Sequence, residues 1–177
     1  CCIRLCRSEM KLKSTNRSEL LEEGSDARFR QLVYDLFTIS THMQSVRDYI
    51  AGRIGVTGPQ YSILLAIAEM GNDIGVSVKR VAAHLHVSGA FVTAETGKLI
   101  KAGYLNKQQD LDDRRAVRLT LSAKGLAEIE RVLPELREIN DIFFGGLSKS
   151  DFEDMSTIIA GMIGGAEHAT KNTNSDE

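Results

Sequence analysis

SVKRVAAHLHVSGAFVTAETGKLIKAGYLNKQQDLDDRRAVRLTLS, residues Ser77–Ser122, decides the fold. Its first part predicts a short helix from Ser77 to Leu85, because Val78, Val81, Ala82 and Leu85 recur at helical spacing. A break follows at His86-Val87-Ser88, where the Ser88 hydroxyl is placed to cap a second helix. That helix runs from Gly89 to about Ala102, carries Phe91, Val92, Leu99 and Ile100, and stops at Gly103. Small Ala82 and Ala83 let two helices cross closely, and Val92 packs the second onto the first, which is helix-turn-helix spacing. Beyond Gly103 the period becomes two. Tyr104–Gln108 predicts one strand and Ala116–Leu121 another, with Val117, Leu119 and Leu121 on one face. The polar tip between them, Gln109–Arg115, ends in two adjacent arginines. A helix-turn-helix followed by a basic-tipped hairpin is a winged helix. Its second helix suits the major groove of DNA, and an arginine on its wing suits the minor groove.

The string Asp110-Leu111-Asp112-Asp113-Arg114-Arg115-Ala116-Val117-Arg118-Leu119-Thr120-Leu121-Ser122-Ala123-Lys124-Gly125 closely resembles the wing signature of MarR-type transcriptional regulators. Val87-Ser88, Val92-Thr93, Leu99 and Gly103-Tyr104-Leu105 resemble the preceding part of that pattern, and the likeness extends from about Asp26 to His168. One departure stands out: where many such proteins carry a basic residue after the Val-Thr pair, this chain has Ala94 and then Glu95. The resemblance implies a mainly α fold with a small β-wing, in which a winged helix-turn-helix sits between N- and C-terminal dimerisation helices. It implies a homodimer on a pseudo-palindromic operator in double-stranded DNA. It further implies repression relieved by a small aromatic or phenolic acid, held between the dimer helices and the winged helix.

Arg115 is the leading candidate for DNA contact, with Asp113 placed to brace its guanidinium, while Arg114 and Arg118 suit phosphates. On the second helix, Ser88, Gly89, Ala90, Thr93, Thr96 and Lys98 are small or polar. Small residues allow close approach to a groove, hydroxyls reach phosphates or base edges, and a lysine neutralises phosphate. Residues able to make bidentate base contacts are few, so specificity leans on DNA shape. The charge distribution agrees. The 177-residue chain carries a net charge of −2, yet Lys79–Arg118 holds eight basic and four acidic residues. Phosphate contact requires such a local excess, although an ordinary solvated face would also contain one.

The hydrophobic content of 42% and charged content of 26% are those of a soluble globular protein. No apolar run approaches the roughly 20 residues of a membrane span, and no signal-peptide core is present, so the expected location is the cytoplasm. The three cysteines, Cys1, Cys2 and Cys6, lack neighbouring histidines and make a poor metal signature. The expected account is a disordered tail, or sequence upstream of a start at Met10. Some proteins of the resembled family sense peroxide through a cysteine beside the dimer helices; this chain has none there. His84 and His86 are two residues apart and point in different directions from a helix, and no carboxylate pair or phosphate loop accompanies them. Neither an enzyme, a metal site nor a cofactor is expected.

In chain order, residues 1–25 read as a flexible tail and 26–56 as the N-terminal dimerisation helix. Residues 57–121 form the DNA-binding unit, 122–169 the C-terminal dimerisation helices, and 170–177 a second flexible tail. Phe29, Leu32, Val33, Leu36, Ser40, Met43, Arg47 and Ile50 share one face of the first helix. Arg47 within that stripe must find an anion or reach solvent. It reads either as an effector contact or as an ion-paired residue near the helix end. Ser40, Arg47 and, on the opposite face, His42 are the candidate effector residues. Thr57 to Gln60 reads as a capping box and Ser148 to Asp151 as another capping pattern. Pro134 is expected to kink the helix after the wing. The alternative function, of a different class, is a winged helix that contacts an acidic protein rather than DNA.

Overall fold

Tyr61-Ser62-Ile63-Leu64-Leu65-Ala66-Ile67 is apolar on nearly every side, and a helix of that kind belongs inside a domain. In a computed structural model, which describes residues 13–71, 74–109 and 117–173, this run lies in α2 (Gly58–Met70), with Tyr61, Ile63, Leu64, Ala66 and Ile67 buried. Spacing alone expects Tyr61, Leu64, Leu65, Ala68 and Met70 to supply the packing, but Ala68 is exposed and Leu65 only half-buried. Around α2 stand α1 (Ala27–Arg53), α3 (Val78–His84), α4 (Gly89–Lys101) and a small sheet. That sheet orders its strands β1-β3-β2, from β1 (Val76–Ser77), β2 (Leu105–Gln109) and β3 (Val117–Leu121). All pairings are antiparallel, and Lys107 and Val76 both lie opposite Leu119, the buried centre of β3. Gly75 holds φ at +82° and approaches the Leu119 carbonyl, so the chain enters β1 through a turn that disfavours a Cβ.

Two serines set the helix-turn-helix. The Ser77 side chain accepts from the Arg80 N–H at the start of α3, and Ser88 accepts from the Phe91 N–H at the start of α4. Gly103, with φ at +79°, follows α4 as expected. The Tyr104 hydroxyl donates to the Ile54 carbonyl just past α1, tying the end of that helix to the root of the wing.

The N-terminal segment differs from expectation. Residues 13–25, read as part of a flexible tail, fold back onto the start of α1. Buried Asp26 accepts from the Ser14 N–H at 2.5 Å and the Ser14 hydroxyl at 2.7 Å, and pairs with Arg30. A 3₁₀ turn at Ser18–Leu20 and a bridge between Glu22 and Ser25 complete this clip. The stripe of α1 lies mostly uncovered: Ile50 is buried at its end, while Leu32 and Met43 are 49% and 50% exposed.

The chain divides into two units within α5 (Ala123–Phe144), between Ile129 and Glu130. Pro134, expected to kink α5, does not end it. In the second unit α6 (Lys149–Thr173) starts with a reciprocal cap, Ser148 N–H to the Asp151 carboxylate at 2.9 Å and Asp151 N–H to the Ser148 hydroxyl at 3.2 Å. It runs past the expected end at residue 169.

Candidate nucleic-acid interface

α4 buries Val92, Thr96 and Leu99 against the rest of its unit. At 100° per residue the opposite side carries Ala90, Ala94, Gly97 and Lys101. Ala90, Ala94 and Lys101 are exposed there, and a Cβ at Gly97 would meet nothing within 4 Å. The outward ridge is therefore made of small side chains ending in a cation. Of these, the sequence names Ala90 as a DNA-contact candidate and Ala94 only as a departure from the resembled pattern, and it singles out neither Gly97 nor Lys101. The complement of the buried Val92-Thr96-Leu99 spacing was the signal that could have located them.

The hydroxyls of α4 are turned toward its own backbone. Thr96 is 3% exposed and donates to the Val92 carbonyl at 2.7 Å, so its assignment as a DNA-facing residue is corrected. A threonine inside a helix satisfies its buried hydroxyl most simply on the preceding turn. Thr93 is exposed but donates to the Gly89 carbonyl at 2.9 Å, and Ser88 serves as the cap. Gly89 and Ala90 occupy the first exposed turn.

Lys98 is not a solitary cation. Its ammonium lies 2.6 Å from one oxygen of Glu95, whose other oxygen accepts from the Gln60 side-chain amide at 2.9 Å. The carbonyl end of the same amide accepts from the Thr57 N–H at 3.1 Å, so Gln60 helps to cap α2 and holds α4 at once. Lys98 and then Gln60 keep the Glu95 carboxyl below its ordinary range, hence charged near neutrality.

The wing hairpin closes at the Gln109–Val117 pair. Asp113, Arg114 and Arg115 lie outside the described residues. Arg118 is half-buried on β3 and donates to the Gly75 carbonyl at 3.4 Å, which ties it to the turn before β1. Between α4 and the sheet opens a groove of about 520 Å³ lined by Lys79, Thr93, Gly97 and Lys107 among others.

The end of the wing string has a structural task that spacing did not reveal. Ser122 N–H donates to the Tyr104 carbonyl at 3.0 Å, and the Ser122 hydroxyl donates to the Gly103 carbonyl at 2.6 Å. Lys124 reaches the Ala102 carbonyl at 2.8 Å, and its ammonium stands 4.1 Å from the centre of the Tyr104 ring. Gly125 lies so close to the Tyr104 backbone that a Cβ would overlap the carbonyl oxygen. Ser122, Lys124 and Gly125 thus clasp the exit of α4.

Of the candidate effector residues, Ser40 and Arg47 share a side of α1, seven residues apart, and His42 points away from them. Ser40 is exposed and accepts from the Gln44 amide at 3.2 Å. The Arg47 Nε is buried without a hydrogen bond, although Asp48 lies 3.5 Å away in ion-pair range. Both side chains stand over Gly58 at the start of α2, where a Cβ would strike them. Among the described residues no His, Cys, Asp and Glu cluster could hold a metal ion, and no helix is long and apolar enough to cross a membrane.

Comparison with known proteins agrees with this architecture. The HTH-type transcriptional repressor YetL of Bacillus subtilis (strain 168) is 29% identical over 110 residues, a match covering 62% of this chain. The chain spans 65% of the length of that relative, just under two thirds. A MarR protein from Peptoclostridium difficile superposes with a TM-score of 0.69 at 23% identity, covering 92% of this chain and 95% of that one. The S. aureus MepR–DNA complex gives 0.66 at 20% identity, covering 75% and 96%. At these identities the two structures establish the shared fold. The family model described as MarR family matches residues 54–116, and over that stretch the chain is similar to the MarR family.

Proposed function

We propose that the chain is a DNA-binding transcriptional regulator that grips a pseudo-palindromic operator as a homodimer, inserting α4 into the major groove and the wing tip into the minor groove. The observation that carries this reading is the outward ridge of α4. Ala90, Ala94 and Gly97 leave the helix backbone free to approach a groove floor, and Lys101 ends the ridge near the phosphates. The relatives support it, since one is called a transcriptional repressor and another was solved as a complex with DNA. Two copies would present their α4 helices roughly 34–36 Å apart, one turn of duplex. The uncovered apolar faces of α1 and α6 suit them to join the copies.

The regulator acts as a repressor released by a small organic acid. Arg47 supports this part, because a guanidinium nitrogen buried without a hydrogen bond beside the start of α2 would gain from a carboxylate. A ligand favouring one spacing of the dimer lowers operator affinity only by its differential binding to the two states.

Fluorescence anisotropy with labelled duplex, titrated with salt, tests the reading. Affinity should fall log-linearly with salt, as counterion release requires. Arg115→Ala should cost about 1–3 kcal/mol per half-site while leaving the dimer intact. Equal affinity for polyglutamate and for duplex would reject DNA in favour of an acidic protein partner. Benzoate, as a simple aromatic acid, should release DNA from the unaltered protein and not from Arg47→Ala. Release from both would remove Arg47 from the effector site.

A further inference from the structure

Glu95 occupies a place on α4 that the DNA-binding reading leaves unexplained. An acidic residue on a helix that enters a groove faces a polyanion, and the chain carries it immediately after the outward-facing Ala94. Its carboxylate is fixed from two sides. Gln60 of α2 holds one oxygen at 2.9 Å, and the Lys98 ammonium approaches the other at 2.6 Å. The Glu95 side chain is only 13% exposed, whereas that of Lys98 is 64% exposed. The anion is therefore the anchored partner and the cation the movable one. Gln60 cannot easily turn away, since its carbonyl end is engaged by the Thr57 N–H.

Resting on the proposed DNA-binding function, we infer that Glu95 is a positioning residue that attenuates DNA affinity by keeping Lys98 from the phosphates. In each copy the ion pair competes with a phosphate contact, so α4 docks with one neutralised phosphate fewer than its lysines would allow. Such a restraint lowers affinity for any duplex sequence alike, because phosphate contacts are blind to sequence. Specific sites, which add base contacts, keep their advantage over bulk DNA.

Glu95→Gln tests this, because the amide oxygen still accepts from Gln60 while the charge that holds Lys98 is gone. The probe is a labelled 30-base-pair duplex of random sequence, titrated from about 50 to 200 mM salt. Freeing one lysine per copy should steepen the log–log slope of a dimer by about 1.8, which makes the affinity ratio across that range about tenfold larger than for the unaltered protein. Glu95→Ala should steepen the slope equally, and provides a second route should the amide variant fold poorly. In a Lys98→Ala background the Glu95→Gln change should leave the slope where Lys98→Ala alone puts it. An unchanged slope in both Glu95 variants overturns the inference, and so does steepening that persists without Lys98. A wild-type protein that ignores duplex at low salt overturns the DNA-binding reading instead.

Discussion

At the scale of single residues, the clasp formed by Ser122, Lys124 and Gly125 explains why the family-like string continues beyond the hairpin. Its last letters hold the end of α4 rather than any ligand. Gly125 is helical, so alanine would favour its backbone by roughly 1 kcal/mol. The added Cβ would nevertheless overlap the Tyr104 carbonyl, and backbone cannot move aside as a side chain can. Gly125→Ala should therefore destabilise the fold by about 1–3 kcal/mol, read from the urea midpoint at unchanged slope. Wild-type stability would show that α5 shifts without cost. Thr96 teaches the complementary lesson. Its residue type suited a DNA contact, but position on the helix decided otherwise, and its hydroxyl serves the Val92 carbonyl inside the core. Residue type was legible from sequence; the direction of each side chain was fixed only by what α4 packs against.

At the scale of elements, boundaries set by local chemistry were legible and faces set by tertiary contact were not. Ser88 and Gly103 announced the second helix of the helix-turn-helix because caps act within a few residues. The orientation of α2 escaped because a helix apolar on all sides has no preferred stripe. The clip over α1 escaped because it depends on one contact across 12 residues, Ser14 to Asp26. That contact has a consequence in acid. The Ser14 N–H, then its hydroxyl, and Arg30 lower the Asp26 carboxyl from 3.8 to about 2. A depressed carboxyl stabilises the folded state fully above its unfolded value and loses that contribution as pH falls through the folded one. The clip should accordingly loosen between about pH 4 and pH 2, seen as faster amide exchange at Ser14. Asp26→Asn should show fast exchange already at neutral pH. Slow exchange in that variant would mean that Leu20 and its apolar neighbours hold the clip without the carboxylate.

At the scale of the whole molecule, the long helices leave more apolar surface uncovered than a monomer ordinarily presents. Tyr34 and Phe37 on α1, Ile142 on α5, and Phe152 and Ile158 on α6 are all more than half exposed. Light scattering should report twice the 19.5 kDa chain mass. Phe37→Glu should shift that mass toward one chain on dilution, since a carboxylate in an apolar interface is costly. A wild-type protein that stays at the single-chain mass at high concentration would refute the homodimer. The clasp, finally, bears on where this chain can be divided. A graft that ends at Leu121, the last residue of the hairpin, would strand the carbonyls of Ala102, Gly103 and Tyr104 without the donors that satisfy them. Transplanting the reading head onto another scaffold requires carrying the first turn of α5 with it, so the natural cut site lies after Gly125.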